Sequence, residues 1–177
     1  MIEINNLTNA GIALKKISNF AEKVLRILKT KKIVSLAFVS SGEIKRLSRT
    51  YLKKNRATDV LSFPNFIQEP GGRLMIKLRT RRTPSRRRKT YLRRQAGGPG
   101  KISEWHSSST NNFLGEIVIS VSQAKNQAKK EKHPLEKEIK ILILHGLLHL
   151  RGFDHEKLSD KIKMDKQQEK IIRILKI

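Results

Sequence analysis

From Ile141 to Leu150 the chain reads Ile-Leu-Ile-Leu-His-Gly-Leu-Leu-His-Leu, an apolar run interrupted by two histidines four residues apart. Pro134 stands where a helix would begin and Gly152 where it would end, so the run reads as a helix from Pro134 to about Arg151. A helix this apolar belongs at the centre of a core, and imidazoles on it need partners to be buried at all. One turn apart, His145 and His149 share a face and can reach one point. Gly152 can adopt a left-handed cap and swing the chain back, which would bring His155 to the same point. Three neutral imidazoles with an open fourth position describe a catalytic zinc site, and zinc needs no thiolate for this. The chain has no cysteine, which excludes disulfide frameworks, thiolate catalysis and Cys-based zinc fingers.

The spacing His-x3-His-x2-Gly-x2-His equals that of the metzincin proteases. There, the residue after the first histidine is a Glu that serves as general base; here it is Gly146. A hydrolase with this site must rely on the metal to lower its water's pKa, or borrow a carboxylate from elsewhere. Asp154, Glu156, Asp59 and Glu116 are the candidates, and Asp154 could equally hold a ligand imidazole in place. His133, alone beside Pro134, reads as structural or solvated.

Around this helix the pattern alternates strands and helices. Ile2 to Ile4 reads as a short strand, Ile12 to Leu28 as an amphipathic helix, and Ile33 to Val39 as a buried strand. Ser40 with Glu43 resembles a capping box ahead of a helix bearing Ile44, Leu47 and Tyr51. Val60 to Phe63 is a strand stopped by Pro64, and Leu114 to Val121 alternates most clearly. Ser122 is expected to cap a polar helix ending near His133, and a last helix covers about Ser159 to Leu175. Strands separated by helices predict a mixed α+β layer structure.

Lys and Arg number 39 against 15 Asp and Glu, a net charge of +24, which directs the chain towards polyanions. Twelve of the basic residues, nine of them Arg, lie between Arg73 and Lys101 with no acid among them. With its glycines and prolines this stretch cannot bury enough apolar surface to offset its ordering entropy. Residues 1–177 are therefore read as a single domain carrying a basic loop insertion at about 69–112, either a solvated passenger or an RNA-binding arm. No segment suits a signal peptide or a membrane span, so the expectation is a cytoplasmic protein with no membrane partner.

Three stretches carry a family resemblance: Thr58-Asp-Val-Leu-Ser-Phe-Pro64, Leu114-Gly-Glu-Ile-Val-Ile-Ser120 and His145-Gly-Leu-Leu-His-Leu-Arg-Gly-Phe-Asp-His155. In this order they resemble the YbeY endoribonucleases, small bacterial zinc-dependent enzymes with relatives in organelles. The resemblance spans nearly the whole chain except the basic loop. It implies a mixed sheet flanked by helices, one Zn2+ held by His145, His149 and His155, and cleavage of single-stranded RNA. It also implies work on ribosomal particles, in maturation of the 16S rRNA 3′ end and in ribosome quality control. The family usually has Asp at position 116 and commonly an Arg directly after the Tyr of the second helix; here these are Glu116 and Leu52, the latter followed by Lys53, Lys54 and Arg56. Those three cations and Asp154 are the expected catalytic groups, with zinc polarising the scissile phosphate and its bound water. Tyr51, Phe63, Phe66 and Trp105 are the aromatics available to stack bases. The alternative is a basic ribosome-assembly factor with a structural zinc and no essential catalysis; a metallopeptidase is disfavoured by Gly146 and the charge. No oligomeric state follows from the residues.

Overall fold

The computed structural model describes residues 1–64, 112–153 and 157–177. In chain order these form β1 (Ile2–Asn6), α1 (Leu14–Ile27), β2 (Ile33–Val39), α2 (Ser41–Leu52), β3 (Val60–Pro64), β4 (Phe113–Ser120), α3 (Val121–Lys130), α4 (Leu135–Leu150) and α5 (Leu158–Leu175). The expected basic loop at 69–112 lies outside the described residues except for Asn112, as do Phe66, Trp105, Asp154, His155 and Glu156.

The strands form one four-stranded sheet in the order β1-β2-β4-β3. The first three run parallel and β3 pairs antiparallel with β4, so the sheet is mixed and the α+β expectation holds. Among the described residues β3 is an edge strand, and Pro64 ends it where a missing N–H costs little. Strand alternation divides the apolar residues between two faces. Leu36, Phe38, Ile117 and Ile119 point to the larger core with α1, α4 and α5. Ala37, Val39, Leu61 and Val118 point to a smaller core with Ile44 and Leu47 of α2. Among the described residues no helix is long and apolar enough to cross a membrane.

Local signals place most boundaries. Ser40 Oγ accepts from the Glu43 backbone N–H at 3.2 Å, while the Glu43 carboxylate engages Arg46. The cap of α3 differs from expectation: Ser120, not Ser122, accepts from the Gln123 N–H. β4 passes straight into α3, so the last residue of the strand is also the N-cap, and Ser122 falls in the first turn. His133 is structural: its Nε2 lies 3.1 Å from the carboxylate of Glu138, a side chain only 6% exposed.

Two glycines set how closely α4 meets the sheet. A Cβ on Gly146 would stand 2.9 Å from Ile117 Cδ1, so the helix rests directly on β4. At Gly115, where φ is +150°, a Cβ would stand 2.4 Å from the Phe63 carbonyl oxygen and 2.8 Å from Leu150 Cδ2. Gly115 therefore joins the end of β3, the start of β4 and the end of α4. Gly115→Ala is expected to destabilise the protein by about 3 kcal/mol, combining backbone strain with overpacking. Equilibrium urea unfolding checks this.

Glu116 stands next to Ile117 on β4 and so points to the opposite, α2-covered face, opposite Ser35 and Phe63 in register. Burial pushes its carboxyl from 4.5 up to about 7. A carboxyl raised on folding contributes stability fully present below its unfolded pKa and lost as pH rises through the folded one. Relative to Glu116→Gln, the parent chain should thus lose about 2–3 kcal/mol between pH 4 and pH 8. Unfolding of both proteins across that range measures it; a pH-independent difference would contradict it.

Candidate metal centre

Of the residues from Leu142 to Leu150, only His145 and His149 are not buried. They form the polar opening in this stretch of α4, whose other residues are enclosed by core. Their ring centroids are 4.6 Å apart with planes at 83°, and the two Nε2 atoms are 3.0 Å apart.

The protons on these rings follow from what the Nδ1 atoms face. His149 Nδ1 lies 3.1 Å from the Phe153 carbonyl oxygen, which can only accept, so Nδ1 carries the proton and donates it. His145 Nδ1 lies 3.2 Å from Gln168 Oε1 on α5 and donates to it. With Nδ1 donating in both rings, Nε2 is the nitrogen each ring can offer to a cation. A Zn–imidazole bond is about 2.0–2.1 Å long, and 3.0 Å is less than twice that, so one ion can touch both nitrogens. The donor set thus fits a divalent ion that favours imidazole.

The cap after α4 builds half of this arrangement. Gly152 N–H donates to His149 O at 2.9 Å and Phe153 N–H to Leu148 O at 3.0 Å, with Gly152 at φ +89°. This is the Schellman closure, with Phe153 packed on the main core beside Leu148. It bears out the left-handed cap expected at Gly152. The same turn delivers the Phe153 carbonyl to His149. Among the described residues no third His, Asp or Glu completes a three-ligand group with the pair; His155 and Asp154 lie outside those residues.

The structure removes two carboxylates from consideration as a general base here. Glu116 is on the other face of the sheet. Asp59 accepts from the Val60 N–H at 2.9 Å, and its own carbonyl takes the Ser120 N–H, which puts it at the far end of β4 from Gly115 and Leu150. Position 146 points at Ile117, so a Glu after the first histidine would enter the core rather than the site.

Lys53 closes α2 in a left-handed conformation at φ 57°, and Lys54 and Arg56 follow. Tyr51, two residues before Lys53, meets Phe63 edge-on at 5.3 Å, so both aromatics pack against the smaller core. The end of α2 therefore flanks the same end of the sheet as His149, but on the opposite face. Partial burial, then Arg56, depress the Lys54 ammonium. Gln168 was not singled out by sequence, though a signal existed: it interrupts the inward stripe of α5 between Met164 and Ile171.

The family profile described as Endoribonuclease YbeY matches residues 3–176. The chain is similar to endoribonuclease YbeY of Clostridium botulinum (strain Alaska E43 / Type E3), at 31% identity over 100% of this chain and 99% of that protein. With the Clostridium beijerinckii protein of the same name, identity is 32% over 100% of this chain and 98% of the other. With that of Onion yellows phytoplasma it is 32% over 98% and 92%. The solution structure of TM1509 from Thermotoga maritima shares the fold, with a TM-score of 0.52 and 20% identity across 99% of this chain and 92% of that one. With the profile spanning nearly every residue and relatives above 30% identity along their full length, the chain belongs to the YbeY endoribonuclease family.

Proposed function

We propose that this protein is a zinc-dependent endoribonuclease that cleaves single-stranded RNA, working in the cytoplasm on ribosomal particles, in 16S rRNA 3′-end maturation and ribosome quality control. The observation that carries the reading is the pair of imidazole Nε2 atoms 3.0 Å apart, in a family named for RNA cleavage.

His145, His149 and His155 would hold one Zn2+. When bound, the ion supplies Lewis-acid polarisation of a phosphoryl oxygen and a water acidic enough to ionise near neutral pH. The chain's own residues do the rest. The Phe153 carbonyl and Gln168 keep the protons of the two rings on Nδ1, leaving Nε2 free of them. Asp154, next to His155 in sequence, is assigned the carboxylate role, either moving a proton or holding an imidazole. Lys53, Lys54 and Arg56 bind phosphates of a strand passing the β3 edge, and an anion there offsets the charge and desolvation that depress Lys54. The net charge of +24 draws the polyanion in.

Protein purified without added metal should contain about one zinc per chain, as the three-imidazole site requires. His149→Ala should lose most of that zinc, and RNA cleavage should fall at least about 100-fold. A chelator should abolish cleavage by the parent chain, and zinc should restore it. Elemental analysis paired with a cleavage assay decides this. Zinc indifferent to His149→Ala would sink the metal site; bound zinc with no chelator-sensitive cleavage would favour the assembly-factor reading.

Replacing Lys53, Lys54 and Arg56 together with Gln should slow cleavage about tenfold or more and lower the logarithmic salt slope of RNA binding by up to about 2, at roughly 0.7 per lost phosphate contact. Thermal stability should change little, because all three are surface residues of a helix end and the loop after it. Unaltered rate and slope would show them to be solvated only.

A further inference from the structure

We propose that Gln168 is a positioning residue of the metal centre, fixing which nitrogen of His145 is offered to the ion; this rests on the reading of His145 and His149 as ligands. Met164 and Ile171, either side of Gln168 on α5, are 1% and 0% exposed, so the stripe that docks the helix also holds the Gln stem beside α4. Gln168 Oε1 lies 3.2 Å from His145 Nδ1. An imidazole ligates through a nitrogen without a proton, so the other nitrogen must carry one, and its acceptor sets the ring's orientation and basicity. For His149 that acceptor is backbone, the Phe153 carbonyl. For His145 it is a side chain from another helix. The position is thus open to alteration without touching a ligand.

The amide has a second option that makes its role specific. Turned to present Nε2, it would donate to His145 Nδ1 and leave the proton on His145 Nε2. That proton would then bridge to His149 Nε2, 3.0 Å away, and occupy the place of a metal ion. With Oε1 towards His145, Gln168 keeps the proton on Nδ1 and offers Nε2 to a cation. A carboxylate at the same position can only accept while ionised, and would hold the open form more strongly.

Zinc affinity of the full chain, read by competition with a chromophoric chelator, should fall about 10–100-fold in Gln168→Met, which keeps the bulk but offers only a weak acceptor. Gln168→Glu should bind zinc at least as tightly as the parent chain. A residue with a merely structural role would not separate these two variants in this way, and the metal-free proteins should unfold at nearly the same temperature. Parent-like affinity in Gln168→Met overturns the proposal alone. A parent chain whose zinc binding ignores His149→Ala brings down the metal reading and this proposal together. Should Gln168→Met fail to fold, histidine 15N NMR of the zinc-loaded parent chain decides. Zinc on His145 Nε2 with an Nδ1 proton shielded from exchange supports the proposal, and zinc on His145 Nδ1 overturns it.

Discussion

The contact of α4 with β4 through Gly146 and Ile117 is the constraint on which the rest of the structure depends. With no side chain at 146, the helix lies directly on the sheet, and Leu142, Leu144, Leu147 and Leu148 fill the space around it. Close-packed cores tolerate neither voids nor added methylenes, so the helix has one rotational setting about its axis. That setting turns His145 and His149 away from the sheet. It also explains why a metzincin-like spacing lacks the metzincin's Glu: the residue after the first histidine faces inward, where a carboxylate would be desolvated without recompense.

A second economy lies in the turn after α4. The Schellman closure satisfies the last carbonyls of the helix, and it needs only the left-handed conformation that glycine adopts without penalty. By the same hydrogen bonds it brings the Phe153 carbonyl onto His149. Ending the helix and fixing one imidazole are thus a single structural event. The other imidazole is fixed through α5, whose inward stripe carries Gln168 between two fully buried apolar residues. Both rings are oriented by groups whose primary work is to terminate or dock a helix.

The charged groups divide by face. Glu116 is half-buried on the face of the smaller core, and Asp59 is held at the far end of the sheet, so neither shares the opening with the histidines. Lys53 and Lys54 come off α2 at the same end as that opening, but across the sheet. Pro64, the last described residue of β3, has no N–H to offer a further strand.

The elements and the histidine pair were legible in the residues alone. The apolar periods place α1, β2, β4 and α4 within a residue or two, because local spacing and burial of one face are the same physical fact. His145, His149 and Gly152 were legible for the same reason: helical spacing fixes a shared face, and a left-handed cap has few candidates. What lay beyond the sequence were relations between elements distant in the chain. That Gly146 faces Ile117, that Glu116 turns away from the site, that Ser120 rather than Ser122 caps α3, and that Gln168 meets His145 all depend on which strand neighbours which and how each helix is rotated on the sheet. Those choices are made by packing between surfaces, which no single segment encodes, and so they are settled only when the whole chain is folded.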